Sequence, residues 1–335
     1  MSIFPKVSIL VPVYNTEQFI ERCARSLFSQ TYKNLEFVFL DDCSKDDSMT
    51  ILGHIIRDYP LLLPYIRILH HEKNKGLSAA RNTLIKHANG DYVFHVDSDD
   101  WLEPRAIELL VKKQQETQAD IIQGRCYKHR GIQTEIMNGD GYGLDREDYL
   151  NSLFLMKTIH VVVWNKLINR ELYVKNKIKS NENLKTKEDH TLFYLIYFAS
   201  SISYVDEFTY HYDYTPKVSI SQSFGKSLQI SKDIVIIAEH ICLFFRNKDS
   251  VYKDLSIIYK YKLIKSFLQI SYENKNKDGF CYLVSFWENY PMRLWTFKDN
   301  PFLQFFESKY FFTKLIMPIL VKMNHALKLV MGKAE

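Results

Sequence analysis

Long apolar runs are missing from this chain of 335 residues. No uninterrupted apolar stretch approaches the roughly 18 residues of a spanning helix, so a membrane span is not expected. Cysteine is sparse. Cys23, Cys43, Cys126, Cys242 and Cys281 are scattered, odd in number and without a C-x-x-C pair, which favours free thiols in a reducing compartment. Charge of one sign is not in excess: the net value is +5, and no basic-aromatic groove module accompanies it, so nucleic acid is not an expected partner. Met1 to Lys6 carry no apolar signal region, and the expected location is the cytoplasm. Internal repeats and low-complexity tracts are absent as well. What remains is an ordinary globular apolar content of 46%, enriched by 22 Tyr, 22 Phe and 4 Trp. Most of these rings serve packing, although Tyr and Trp also suit surfaces that meet sugars or lipids.

The chain is organised around Asp91 to Trp101. Val93, Phe94 and Val96 give a short buried strand, which stops at Asp97, Asp99 and Asp100. Open α/β sheets place ligand-binding groups at strand ends. Mg2+ in phosphate-handling sites takes one or two carboxylates plus the substrate's own oxygens. A cation–diphosphate site is therefore one reading; an acidic turn capping the helix that starts near Pro104 explains the same residues equally well.

Around this stretch, strand and helix patterns alternate. Val7 to Val13 reads as a strand, with Pro12 at its end because proline cannot donate to a ladder. Asn15 and Gln18 form a candidate capping box for a helix running to about Gln30. Leu35 to Leu40 is a second strand, followed by a helical stripe at Ile51, Leu52, Ile55 and Ile56. A third strand at Ile66 to Leu69, a helix opened by Gly76, and a helix from Arg105 to about Gln118 complete the pattern. Such alternation implies parallel strands. Residues 125–145 suggest antiparallel excursions or loops, Glu188 to Ala199 a helix, and Ile202 to Tyr212 one or two strands. Apolar residues at helical spacing from about Lys226 onward predict a helical C-terminal region, which sets expected domains of 1–225 and 226–335.

A second strand also ends in acids, Asp41-Asp42, on what would be the same sheet edge. An ionised Asp42 accepts only, so it could take the imide N–H of a pyrimidine; capping the next helix is the plainer use. Arg81 follows Gly76 in the second turn of a helix, where it could clamp phosphate or lie as a solvated charge.

Together these pieces resemble family 2 glycosyltransferases. The likeness rests on Val7 to Asn15, Leu40 to Asp46, Asn74 to Asn82 and Asp97 to Asp100, and covers about residues 5 to 221. It implies an α/β GT-A fold, a Rossmann-like mixed sheet flanked by helices, here with a helical C-terminal extension. It also implies roles. Pro12 and Tyr14 line the nucleoside, Asp42 contacts uracil, and Arg81 lies on the diphosphate side. Asp97 and Asp99 form the D-x-D pair, which holds ribose or metal, with Asp99 chiefly holding Mn2+ or Mg2+, and Asp100 faces the donor sugar or shares the metal. Trp164 and Lys166, in Trp164-Asn165-Lys166-Leu167, lie near the acceptor, as does Glu188 beside Asp189, the catalytic base. Cys43 stands where the family usually has Gly. Asp213, after Tyr210-His211-Tyr212, stands where Arg is common; Lys217 is one candidate for the missing charge, and His211 a candidate metal ligand.

The implied activity moves a sugar, with inversion, from a nucleotide-sugar donor, a UDP-sugar, to a saccharide or lipid-linked saccharide acceptor in bacterial surface polysaccharide synthesis. Two alternatives remain: a sugar nucleotidyltransferase, which would need a Gly-rich basic N-terminal loop, and a non-catalytic nucleotide-sugar-binding protein. Finally, Ser308 to Lys333 carry five lysines, no acid, and many apolar residues broken by Pro318. That pattern suits an anionic membrane surface at the inner face of the cell membrane, packing on the catalytic domain, or a homodimer contact.

Overall fold

A computed structural model describes residues 4–137, 141–157, 159–184, 190–214 and 227–288. The chain divides into two compact units, 1–284 and 285–335, and the fold described here is that of the first. The expected boundary at residue 225, and the lysine-rich segment from Ser308, lie outside the described residues.

Four strands form a parallel block: β1 (Val7–Val13), β2 (Leu35–Asp41), β3 (Ile66–His70) and β4 (Tyr92–His95). Every residue of β1 is buried, and so are the first six of β2, which is why both read as near-continuous apolar runs broken only by Ser8 and Glu36. Between them run α1 (Ile20–Phe28), α2 (Ser48–Arg57) and α3 (Leu77–His87). The buried face of α1 is Ile20, Cys23, Ala24, Leu27 and Phe28, the helical spacing seen in the sequence. The helix starts later than a cap at Asn15 would give. Asn15 lies instead in the left-handed region at φ 52°, and its side-chain oxygen accepts from the Lys45 amide at 2.8 Å, joining two loops at the sheet edge.

The remaining strands are β5 (Trp101–Leu102), β6 (Ile121–Arg130), β7 (Gln133–Ile136), β8 (Lys166–Asn169) and β9 (Ile202–Asp213). Among the described residues they complete a nine-stranded sheet in the order β3-β2-β1-β4-β8-β6-β9-β5, with β7 paired to β6. β8 enters antiparallel between β4 and β6. The sheet is therefore mixed, and the excursion expected at 125–145 is the β6–β7 hairpin. Flanking helices are α4 (Ala106–Thr117), α5 (Arg146–Phe154), α6 (Arg170–Lys175) and α7 (Thr191–Phe198). The C-terminal region is helical as expected, through α8 (Leu228–Phe245), α9 (Ser250–Glu273) and α10 (Lys277–Glu288). None of the described helices is long and apolar enough to cross a membrane.

Candidate functional site

Parallel pairing puts the carboxyl ends of β1, β2 and β4 on one edge, with Val13 beside Asp41 and Leu10 beside His95. A cleft of about 2080 Å³ opens there. Its wall includes Pro12, Tyr14, Asp42, Asp97, Asp99 and Trp164. Sequence-expected residues from four separate segments thus share one cavity.

Asp42 is almost fully buried and already engaged. Its Oδ1 accepts from His71 Nδ1 at 2.6 Å and from the Lys75 amide at 2.9 Å, and its Oδ2 from the Gly76 amide at 2.8 Å. The carboxylate thereby ties β2 to the loop entering α3. Gly76 makes that entry with φ 85°, a conformation other residues adopt only under strain. A carboxylate offers about four acceptor directions, so one on Oδ2 remains for a ligand.

The acid loop divides its labour. Asp97 accepts from Arg81 Nη2 at 2.8 Å. Asp100 is fully buried; its Oδ2 accepts from Tyr210 Oη at 2.7 Å and its Oδ1 from the Asp213 amide at 2.8 Å. Asp99 lies on the cleft wall. Burial, then the charges of Asp97 and Asp213, push its pKa up to about 7. Burial and the charges of Asp99 and Asp97 likewise push Asp100 well above the usual carboxylate range. The same crowding raises the Cys23 thiol behind the loop, after burial itself.

The other expected site residues are placed as follows. Arg81, anticipated on the diphosphate, is buried and paired with Asp97. Asp100, anticipated on the sugar or metal, is a latch between the acid loop and β9. His211 has both ring nitrogens engaged, Nδ1 with His129 at 2.9 Å and Nε2 with Glu103 at 2.8 Å, and stacks on Trp101. Lys166 is buried within β8 with Nζ donating to Asn165 Oδ1 at 3.2 Å. Asp213, the departure from the family pattern, accepts from Arg22 Nη2 at 2.7 Å. Glu188, Asp189 and Lys217 lie outside the described residues. His190, immediately after Asp189, lies on the cleft wall at the start of α7.

On the far side, Trp164 stacks on Tyr210 with centroids 4.8 Å apart and on Tyr212 at 5.2 Å. Asn165, at φ 57°, turns the chain from this stack into β8. Tyr212, Tyr214 and Lys128 also line the cleft. Sequence reasoning had not assigned these to it; the aromatic spacing in Tyr210-His211-Tyr212 was the available signal.

The donor set suits a hard divalent cation. Asp99 and the second oxygen of Asp97 are hard ligands on one loop, and the crowding that raises Asp99 is what a cation would relieve. Among the described residues no group of three His, Cys, Asp or Glu side chains that could hold a metal ion occurs.

With this geometry in view, the comparisons decide the family. The model for "Glycosyl transferase family 2" matches residues 8–177. The chain belongs to glycosyl transferase family 2. The glycosyltransferase GlyA of Streptococcus pneumoniae is 43% identical over 127 residues, which is 38% of this chain and 18% of GlyA. The putative glycosyltransferase EpsH of Bacillus subtilis is 32% identical over 215 residues, 62% of this chain and 60% of EpsH. The chain thus spans less than two thirds of these relatives. Among solved structures, S. aureus TarS 1–349 in complex with UDP-GlcNAc matches with a TM-score of 0.62 at 18% identity, over 84% of this chain and 91% of that one. Mannosyltransferase PcManGT from Pyrobaculum calidifontis, in complex with GDP-Man and Mn2+, matches with 0.54 at 17% identity, over 81% and 73%. The family 2 chain therefore has the GT-A fold, and its helical C-terminal region follows that sheet.

Proposed function

We propose that the protein is an inverting glycosyltransferase that moves a hexose or N-acetylhexosamine from a UDP-sugar to a hydroxyl of a saccharide acceptor. One observation carries this reading: the carboxyl-edge cleft joins Asp42, with an acceptor direction to spare, to an acid loop that sets Asp97 and Asp99 on the same wall. Bound UDP-GlcNAc in a structural neighbour and the family membership support the donor class.

In the proposed reaction, Tyr14 and Pro12 flank the base and Asp42 accepts its imide N–H. Tyr212 and Tyr214, on the cleft wall, offer ring surface to the acceptor sugar, with the buried Trp164 stacked behind Tyr212. Asp189 takes the acceptor hydroxyl proton as its oxygen attacks the anomeric carbon from the face opposite the diphosphate. The bond from that carbon to the diphosphate oxygen breaks, and its electron pair leaves with UDP. A divalent cation held through Asp99 and Asp97 would supply Lewis-acid charge to the departing diphosphate. Arg81 acts one step back, by holding Asp97.

Resemblance to a poly(ribitol-phosphate) beta-glucosyltransferase of Bacillus spizizenii, 30% identical over 212 residues, supports a bacterial surface polysaccharide as the setting. A lipid-linked acceptor and peripheral membrane binding through 308–335 belong to the same proposal, tested by sedimentation of full-length and truncated protein with anionic liposomes.

The main test is a donor screen read by mass spectrometry, with and without acceptor sugars. Asp189→Asn should bind UDP normally and lose about 10²–10⁴-fold in transfer, the usual size of general-base catalysis. Unchanged turnover in that variant removes Asp189 from the role. A product with retained anomeric configuration overturns inversion.

A further inference from the structure

The acid loop is held from outside by a residue that no motif marks. Arg22, on α1, donates through Nη2 to the backbone oxygen of Asp99 at 2.9 Å and to Asp213 Oδ2 at 2.7 Å. Its guanidinium carbon lies 3.6 Å from the ring centroid of Trp101, the residue that follows the loop. Trp101 in turn stacks on His211 at 4.8 Å and 8°, and pairs with it across β5 and β9.

These contacts close a ring. Arg22 grips the Asp99 carbonyl; Asp100 next to it accepts from the Asp213 amide; the Asp213 side chain returns to Arg22. Only the backbone of Asp99 is used, so its carboxylate stays on the cleft wall. A planar guanidinium suits this task in a way an ammonium does not. It presents several donors in a fixed fork while stacking on an aromatic face.

We infer that Arg22 is a positioning residue of the donor site, fixing the backbone of the Asp97–Asp100 loop so that Asp99 faces the diphosphate. This rests on the reading that Asp99 holds that diphosphate through a divalent cation. The plainer alternative is a half-exposed surface ion pair, whose loss would change little.

The test is binding of UDP, and of GDP as a second probe, by calorimetry with Mn2+ and with chelator. Steady-state kinetics and thermal unfolding are run on the same proteins. The variants are Arg22→Gln, Arg22→Lys, Asp213→Asn and Asp99→Asn. Arg22→Gln should weaken the Mn2+-dependent part of binding about tenfold, the scale of one charge-assisted hydrogen bond. The chelator-insensitive part and the melting temperature should hold. Arg22→Lys should recover part of the loss, and Asp213→Asn should fall between wild type and Arg22→Gln.

If Asp99→Asn abolishes the Mn2+-dependent part while Arg22→Gln matches wild type, the inference is overturned and the donor reading stands. A uniform loss in Arg22→Gln, with and without Mn2+ and with a lower melting temperature, also overturns it, since that marks a merely structural pair. If Asp99→Asn keeps wild-type Mn2+-dependent binding, the donor reading fails, and the role of Arg22 with it.

Discussion

Two acidic sites sit at opposite edges of the same parallel strands and are treated in opposite ways. At the amino edge, Glu36 is buried between β1 and β2. It accepts from Ser8 Oγ at 2.5 Å, from the Asn89 amide at 2.6 Å and from Lys6 Nζ at 2.9 Å, with Arg67 at 3.3 Å. Burial alone would raise its pKa, but the Ser8, Lys6 and Asn89 hydrogen bonds hold it below the usual value. At the carboxyl edge, Asp99 is pushed the other way, up to about 7, by burial and by neighbours of its own sign. Burial raises both acids, and only at Glu36 do hydrogen bonds outweigh it. Glu36 has every partner it needs, whereas the acid loop is left short of positive charge. A satisfied buried acid stabilises a fold; an under-compensated one stores a demand that a ligand can meet.

Replacing Asp99 breaks the comparison most sharply. Asp99→Asn removes one charge from the crowded loop, so the unliganded protein should become more stable above pH 7, by about 1 kcal/mol, while transfer falls about 10²–10³-fold. Thermal unfolding and a UDP-release assay read the two effects. A variant both less stable and fully active would reverse the assignment. The satisfied site should behave in the opposite sense: Glu36→Gln is expected to cost about 2 kcal/mol of stability and leave kcat unchanged once folded protein is counted. A large loss of kcat there would mean that the amino edge is not merely structural.

A third, smaller effect concerns pH. His95 ends β4 next to the acid loop, with Nε2 3.2 Å from Tyr173 Oη. Burial first, and the charge of Arg81 second, lower its pKa to about 3. The unfolded chain takes up this proton below a pH of about 6.5, and the folded chain does not until about 3. Between these values the unfolded state binds more protons, so the contribution to stability is lost as pH falls. His95→Gln should flatten the acid limb of a stability–pH curve by about one proton relative to wild type. Parallel curves would show that His95 is charged in the folded protein.

The contrast between the two edges also marks what was readable from residue order. β1, β2 and β4 are legible because strands covered on both faces become near-continuous apolar runs. The order of strand ends alone places Asp42 and the acid loop on one edge. The partition of the acids was not legible. Asp97, Asp99 and Asp100 look alike in sequence, and only Arg81, 16 residues earlier, and Tyr210, 110 residues later, separate their tasks. Arg22 is harder still, being 191 residues from its partner Asp213. On an amphipathic helix it reads as one more solvated charge. The antiparallel entry of β8 and the parallel pairing of β6 with β9 escape for the same reason. Period and propensity report a residue's own element, whereas long-range pairing depends on which elements meet.

The smallest expected effect lies at Cys43, where the carboxyl edge departs from the family's usual glycine. The turn after β2 is tight: the Asp42 amide donates to Val13 O at 2.9 Å, and the Ser44 amide to Asp41 Oδ1 at 2.8 Å. Between them Cys43 sits at φ 65°, in the left-handed region. A side chain there costs roughly 1–2 kcal/mol. Glycine would remove that cost but lose about 0.5–1 kcal/mol through the greater freedom of the unfolded chain. The two nearly offset, so Cys43→Gly should stabilise by about 0.5 kcal/mol, raising Tm by about 1–2 °C, with UDP binding unchanged because Asp42 keeps its backbone path. Cys43→Val tests the same geometry from the other side, since a β-branched residue tolerates positive φ poorly. It should lower Tm and weaken UDP binding together, because Asp42 is fixed by the same turn. Equal stability in the glycine and valine variants would show that the left-handed turn relaxes freely, and that Asp42 is held by His71 and the entry to α3 rather than by its own backbone.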